Sequence, residues 1–120
     1  MALVAIAKPE EVRQVLLAGL ASQLGEKYSI DKMMAAGQCW KIVDDGRIVG
    51  AYVTRDDNGE LWVLAAAGRA NTDLSLLIDH HLKQATGYRS VGFQTARKGL
   101  VKKAKEQGYE IAGYILRRKL

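Results

Sequence analysis

The sequence predicts a mixed α/β (α+β) domain built on one central sheet, in the order β-α-α-β-β-β-α-β-α-β. Three observations predict it. Near the amino terminus, a short apolar run is followed by two stretches with helical spacing. The middle of the chain holds three apolar runs separated by tight-turn residues, the pattern of an antiparallel meander. The last third alternates strand and helix patterns, which implies a right-handed crossover and a parallel pair.

Each element has its own signal. Residues 2–7 are apolar and read as a first strand. Pro9 suits the first turn of a helix over about 9–24, with Glu10 and Glu11 at its positive end. Val12, Val15, Leu16, Gly19 and Leu20 repeat at helical spacing, and Gly25 ends the pattern. Ser29 is a cap for a short helix over about 30–36, closed by Gly37. Residues 39–43 and 47–54 flank Asp44-Asp45-Gly46, a strong hairpin signal. Asp56-Asp57-Asn58-Gly59 marks the next turn. Residues 61–67 are apolar on both faces, as expected of a strand covered on both sides. After a loop over 68–71, Asn71 or Thr72 caps a helix to about Thr86, with Leu74, Leu77, Ile78 and Leu82 inward. Gly87 terminates it. Residues 89–94 form a strand and residues 98–107 a helix, with Leu100, Val101 and Ala104 inward and Lys102, Lys103 and Lys105 outward. Gly108 ends that helix, and residues 109–118 form the final strand.

Length and composition narrow the classes. A chain of 120 residues is one domain over residues 1–120. A domain of this size buries roughly two thirds of its unfolded surface, so neither metal nor disulfide is required. Cys39 is the single cysteine, which points to a reducing, cytoplasmic setting. No apolar run approaches the roughly 20 residues of a membrane span. Residues 1–7 lack the basic start of a signal peptide. Charge is uneven. Residues 1–82 carry 8 basic and 11 acidic side chains, net −3, whereas residues 83–120 carry 10 and 2, net +8. A basic carboxyl-terminal third suits an anionic partner: a phosphorylated cofactor, a nucleic acid or an acidic protein surface. A solvated lysine face with no partner accounts for it equally well.

The element order resembles the GNAT (GCN5-related N-acetyltransferase) superfamily over essentially the whole chain. Three fragments carry the resemblance. Residues 43–50, VDDGRIVG, are similar to the passage between that family's second and third strands. Residues 61–68 stand where its fourth strand belongs. Lys105-Glu106-Gln107-Gly108-Tyr109 resembles its passage from the last long helix to the following strand. A double-stranded RNA-binding domain would need fewer elements, and a ferredoxin-like fold has no place for the meander. The resemblance implies transfer of an acyl group from acetyl-CoA or another acyl-CoA to an amine, without a metal. It places the pantetheine arm on the backbone of Leu64, Ala65 and Ala66. It places the phosphates on Gly68, Arg69, Ala70, Asn71 and Thr72, before a helix whose amino terminus favours anions.

Several positions depart from the family pattern. Gly68 stands where the family loop has Gln or Arg, and Asn71 and Asp73 stand where it has small residues. Asp73 brings negative charge to a place meant for an anion. Asn71, Thr72 and Asp73 also read as plain helix capping. Ala104 occupies the position of the family's frequent tyrosine acid, and its frequent asparagine falls near Arg97. No acid or base is therefore identified. Glu60 comes slightly early for a base and reads more simply as a turn carboxylate. His80 and His81 diverge by roughly 100° on a helix and cannot share a metal. Cys39 precedes Trp40 in a strand and reads as buried and inert. Trp40, Tyr52 and Trp62 read as core or groove wall.

The residues support three functions. The first is an acyl-CoA-dependent N-acyltransferase with an atypical phosphate loop. The second is a GNAT-fold protein without chemistry, a structural or interaction module or homo-oligomer. Small acetyltransferase-like proteins encoded by bacteriophages resemble the chain in length and style, which implies a virion or host-interaction role. The third is a nucleic-acid-binding module using Arg97, Lys98, Lys102, Lys103 and Lys105, a face that would equally suit CoA phosphates.

Overall fold

A computed structural model of the chain describes residues 2–24, 29–68, 73–95 and 97–120. The chain begins with β1 (Ala2–Ile6), followed by α1 (Pro9–Leu24). Pro9 loses nothing at a helix start, where its missing N–H would have had no partner. The Lys8 N–H donates to the Glu11 carboxylate at 2.7 Å, which caps the turn. Helix α2 (Ile30–Ala35) comes after it, capped by Ser29, whose hydroxyl accepts from the Lys32 N–H.

Three long strands come next: β2 (Gln38–Asp44), β3 (Arg47–Asp57) and β4 (Glu60–Gly68). Both hairpin turns use two successive residues with positive φ: Asp45 and Gly46 at 52° and 74°, then Asn58 and Gly59 at 54° and 87°. This geometry matches the right-handed twist of the flanking strands. The chain continues through α3 (Leu74–Lys83), β5 (Ser90–Phe93) and α4 (Lys98–Glu106). The sheet has the order β1-β2-β3-β4-β5. Neighbours are antiparallel except β4 and β5, which are parallel as predicted.

Each face of the sheet has its own core. Val12 and Leu16 of α1 and Ile30 and Met34 of α2 pack on Cys39, Ala51, Val53 and Ala65. On the opposite face Leu82 of α3 packs with Ile42, Tyr52 and Leu61, with Leu74, Leu77 and Ile78 alongside. The inward residues predicted for α3 are thus the ones that pack. Strand β3 feeds both cores, because alternate residues point to opposite faces.

Strand β4 carries an irregularity. Val53 pairs with Ala65, but Thr54 pairs with Val63, so Leu64 is an extra residue in β4. Such a bulge reverses the side-chain alternation. Before it, Leu61 and Val63 face the α3 side. After it, Ala65 and Ala67 face the α1 side.

Three expectations are corrected. The final strand over 109–118 does not form: residues 109–120 have no secondary structure, and residues 110–120 are all exposed. A strand is held by its neighbours' hydrogen bonds, and no strand among the described residues runs beside this segment. Helix α3 is capped by Asp73 rather than by Asn71 or Thr72, and it stops at Lys83 instead of near Thr86. Asn71 and Thr72, like Gly25, lie outside the described residues.

Candidate functional site

Strand β5 pairs with only the first part of β4. Glu60, Leu61, Trp62 and Val63 face Ser90, Val91, Gly92 and Phe93, and the ladder ends there. Residues 65–68 keep β3 on one edge, Leu64 is bulged out of that pairing, and none of residues 64–68 has a β5 partner on the other edge. Along that stretch Ala65 is buried, Leu64 and Ala67 are half-buried, and Ala66 and Gly68 are exposed. The structure thus brings Leu64, Ala65, Ala66 and Gly68 together along one open edge. Ala65 can offer only backbone there, since its side chain belongs to the core beneath α1.

Gly68 has no room for a side chain. A Cβ there would lie 2.5 Å from the Val49 carbonyl oxygen and 2.6 Å from the Gly50 Cα. Beyond it, Arg69, Ala70, Asn71 and Thr72 lie outside the described residues.

The chain is next described at the amino terminus of α3, whose Leu74 side chain lies against Gly50 and Gly68 at this end of the sheet. Asp73 occupies the cap position, and its Oδ1 accepts from the Ser75 N–H at 3.0 Å and from the Ser75 hydroxyl at 2.6 Å. Lys103 of α4 reaches its other oxygen at 3.3 Å. The Ser75 hydrogen bonds, with Lys103 adding to them, hold the Asp73 carboxyl below its ordinary range. The helix dipole is therefore met by the protein's own carboxylate.

Two further contacts tie the segment after α4 to α3. The Gln107 side-chain amide donates to the Ser75 hydroxyl at 3.5 Å, and the Tyr109 hydroxyl donates to Asp79 Oδ1 at 3.0 Å. Asp79 is buried and also meets Lys83 at 3.1 Å. The Tyr109 ring stands edge-on to Phe93 at the end of β5, 5.4 Å between centroids. Burial, with Asp79 adding to it, raises the Tyr109 hydroxyl well above its usual range. Sequence reading missed Gln107 and Tyr109 as partners of α3. The helical spacing of α4 predicted its inner face, but nothing in it names the residues of α3 that lie opposite.

Of the predicted basic residues, Lys103 alone is seen at the α3 terminus; Arg97, Lys98, Lys102 and Lys105 are exposed along α4. Glu60 is at the opposite end of β4, accepting from the Ser90 hydroxyl at 2.7 Å, which agrees with a turn role.

A second concavity lies at the other end of α3. It is a cleft of about 650 Å³ whose walls include Trp40, Thr54, Asp56, His81 and Tyr88. The Trp40 indole N–H donates to the Thr54 hydroxyl at 2.9 Å. The His81 ring stands edge-on to Trp40, 4.5 Å between centroids, and its Nδ1 hydrogen-bonds the hydroxyl of buried Tyr52. Burial lowers the pKa of His81, which leaves it neutral at pH 7. His80 points elsewhere, toward Gln84, as the divergence of adjacent helical residues requires. Trp40 is thus groove wall and Tyr52 core. Cys39 is 2% exposed, and burial raises its thiol pKa.

No family profile matches the chain, and no curated protein sequence matches it. Solved structures do. A ribosomal-protein-alanine N-acetyltransferase of Brucella melitensis biovar Abortus 2308 superposes with a TM-score of 0.71 at 18% identity, over 99% of this chain and 100% of its own. A GNAT family acetyltransferase of Elizabethkingia anophelis, solved with acetyl-CoA bound, gives 0.71 at 19%, over 93% and 78%. An IAA acetyltransferase of Bacillus cereus ATCC 14579 gives 0.67 at 16%, over 89% and 74%. Strand order, the parallel β4–β5 pair and these superpositions agree: the chain has the fold of the GNAT acetyltransferases.

Proposed function

We propose that the protein is an N-acyltransferase-like protein that takes acetyl-CoA or another acyl-CoA along the open edge of β4. The observation that carries this reading is the end of the β4–β5 ladder at Val63–Phe93, which leaves residues 64–68 with a free edge beside the α3 terminus. A pantetheine arm carries amide groups and fits such an edge, because unpaired backbone groups there seek partners. Exposed Ala66 and Gly68 leave space over that edge. Bound acyl-CoA would supply an activated acyl group. The bulge at Leu64 breaks the β3 ladder, and a backbone N–H freed there could stabilise charge on the acyl oxygen. A deprotonated amine would attack the thioester carbonyl directly, forming the amide C–N bond as the C–S bond breaks; the departing CoA thiolate would take up the proton that the amine loses, with positioning supplying most of the rate. Gly68, Arg69, Asn71 and Thr72 would meet the phosphates, with Lys103 offsetting the charge of Asp73.

Calorimetric titration with acetyl-CoA tests this reading. Ala66→Glu is the control, since its exposed position lets a long anion fill the open edge without disturbing the core. Gly68→Glu would not serve, because its Cβ would strike the β3 backbone. Micromolar binding, lost in Ala66→Glu with an unchanged melting temperature, supports the reading. No heat at millimolar ligand, from folded protein, sinks it.

A second reading is a GNAT-fold interaction protein without chemistry, such as a virion component. It is favoured by Asp73, which already caps the helix terminus that a phosphate would use. Nucleic-acid binding through Lys98, Lys102 and Lys105 is a third proposal. It requires affinity that falls steeply with salt.

A further inference from the structure

The cleft at the carboxyl-terminal end of α3 has no part in the proposed acyl-CoA edge. Its wall residue Leu61 lies about 17 Å from Ala66 along β4. Leu61 is also on the stretch of β4 that is still paired to β5. At about 650 Å³ the cleft has the size of a small-molecule site.

Its aromatic wall is held from within. Trp40 lies nearly parallel to buried Tyr52, with 18° between the ring planes and 6.2 Å between centroids, and His81 stands edge-on to it. The indole N–H is already given to Thr54. Half-buried Trp40 therefore offers the cleft ring surface with no polar demand, and Leu61 and Tyr88 extend that surface.

His81 adds one polar group. The Tyr52 hydroxyl has no partner but His81 among the described residues. If it accepted from the imidazole, its own proton would be buried without an acceptor. It therefore donates to Nδ1, and the proton of the neutral ring sits on Nε2. Nε2 has no partner among the described residues and is not buried. A free N–H donor thus stands in an otherwise apolar wall. The charges at the rim are matched locally. Arg55 pairs with Asp57 at 3.5 Å, Asp56 accepts from the Gly59 N–H, and Arg89 donates to the Asn58 carbonyl. Two acids face two arginines, so no net charge selects an ion.

We propose that this cleft binds an uncharged, planar heteroaromatic molecule, with one ring face on Trp40 and a carbonyl or ring-nitrogen acceptor on the His81 Nε2–H. The site is separate from the acyl-CoA edge, and neither reading rests on the other.

Caffeine, which is uncharged, planar and carries carbonyl acceptors, is the probe. In proton–nitrogen correlation spectra of the whole chain, the Trp40 indole resonance should shift with a Kd of about 1 mM or tighter, as expected for a molecule of that size. The Trp62 indole should not move, because Trp62 alternates with Leu61 and Val63 and faces the other side of the sheet. Two folded variants, checked by melting, should bind less well when caffeine line widths are read. Tyr52→Phe/His81→Phe removes the donor without orphaning the buried hydroxyl and should weaken binding about fivefold. Trp40→Leu keeps an apolar side chain but removes the ring face and should weaken it about tenfold. Ala66→Glu should leave caffeine binding unchanged, whatever becomes of acetyl-CoA. Adenosine monophosphate, a heteroaromatic base carrying phosphate, should shift Trp40 at no lower concentration than caffeine does. A Trp40 resonance unmoved at ten times the expected Kd overturns the proposal. So do equal shifts at both indoles, variants that bind as wild type does, or a clear preference for the phosphorylated base.

Discussion

The two halves of β4 are both mainly apolar, yet their surroundings are opposite. Glu60 to Val63 are paired on both edges, to β3 and to β5. Residues 65–68 are paired to β3 on one edge and have no strand partner among the described residues on the other. Between the halves stands one bulged residue, Leu64. Very little therefore separates a strand paired on both sides from an open edge. One extra residue reverses the side-chain alternation, and the early end of β5 frees the backbone.

A truncation in each half puts this contrast at most risk. Leu61→Ala, at a buried position under α3, should cost about 3 kcal/mol of unfolding free energy in a urea titration. Ala66→Ser, in the open half, should shift it by less than about 0.5 kcal/mol. Equal losses would erase the distinction. Gly68 refines it from the other side, because openness toward β5 does not mean openness toward β3. Gly68→Ala should cost about 2 kcal/mol by forcing the β3 backbone away from the new Cβ.

His81 reports on the face that Tyr52 shares with Ala66, its partner across the ladder. Its folded pKa is depressed by burial, so its neutral form favours the fold. That contribution is present above the unfolded pKa of about 6.5 and is lost as pH falls through the lower folded value. Melting temperature should therefore drop as pH falls below about 6.5, and His81→Gln should flatten the drop. A wild-type profile flat across that range would show His81 to be no more buried than the open half of β4.

Asp73 should give the least change in stability. Asp73→Asn keeps a capping side chain and removes the charge, so the fold should hardly respond. Acetyl-CoA affinity should rise roughly three- to tenfold by calorimetry, the size of a terminal charge–dipole interaction of about 1 kcal/mol. Weaker binding in Asp73→Asn would mean that the carboxylate helps the ligand rather than opposing it.

Much of the fold is legible residue by residue. Asp45-Gly46 and Asn58-Gly59 announce turns that need positive φ, and Ser29 and Pro9 announce helix starts, because each is a local preference of the backbone. The site is less legible. Residues 61–67 are apolar throughout, so no break in their pattern marks the bulge at Leu64. Asn71, Thr72 and Asp73 are all good caps, and choosing among them depends on where Ser75 and Lys103 stand. Trp40, Tyr52 and His81 are far apart in the chain and meet only because two strands and a helix bring them together.

Local sequence was enough for the elements from β1 to α4, their order and the apolar faces of the helices. These come from turn chemistry and periodicity, which act over a few residues. Three features were settled by tertiary contacts: where β5 stops pairing, which acid caps α3, and the absence of a strand over residues 109–118 in the chain on its own. A strand needs a neighbour's hydrogen bonds, and no pattern within twelve residues can supply that neighbour.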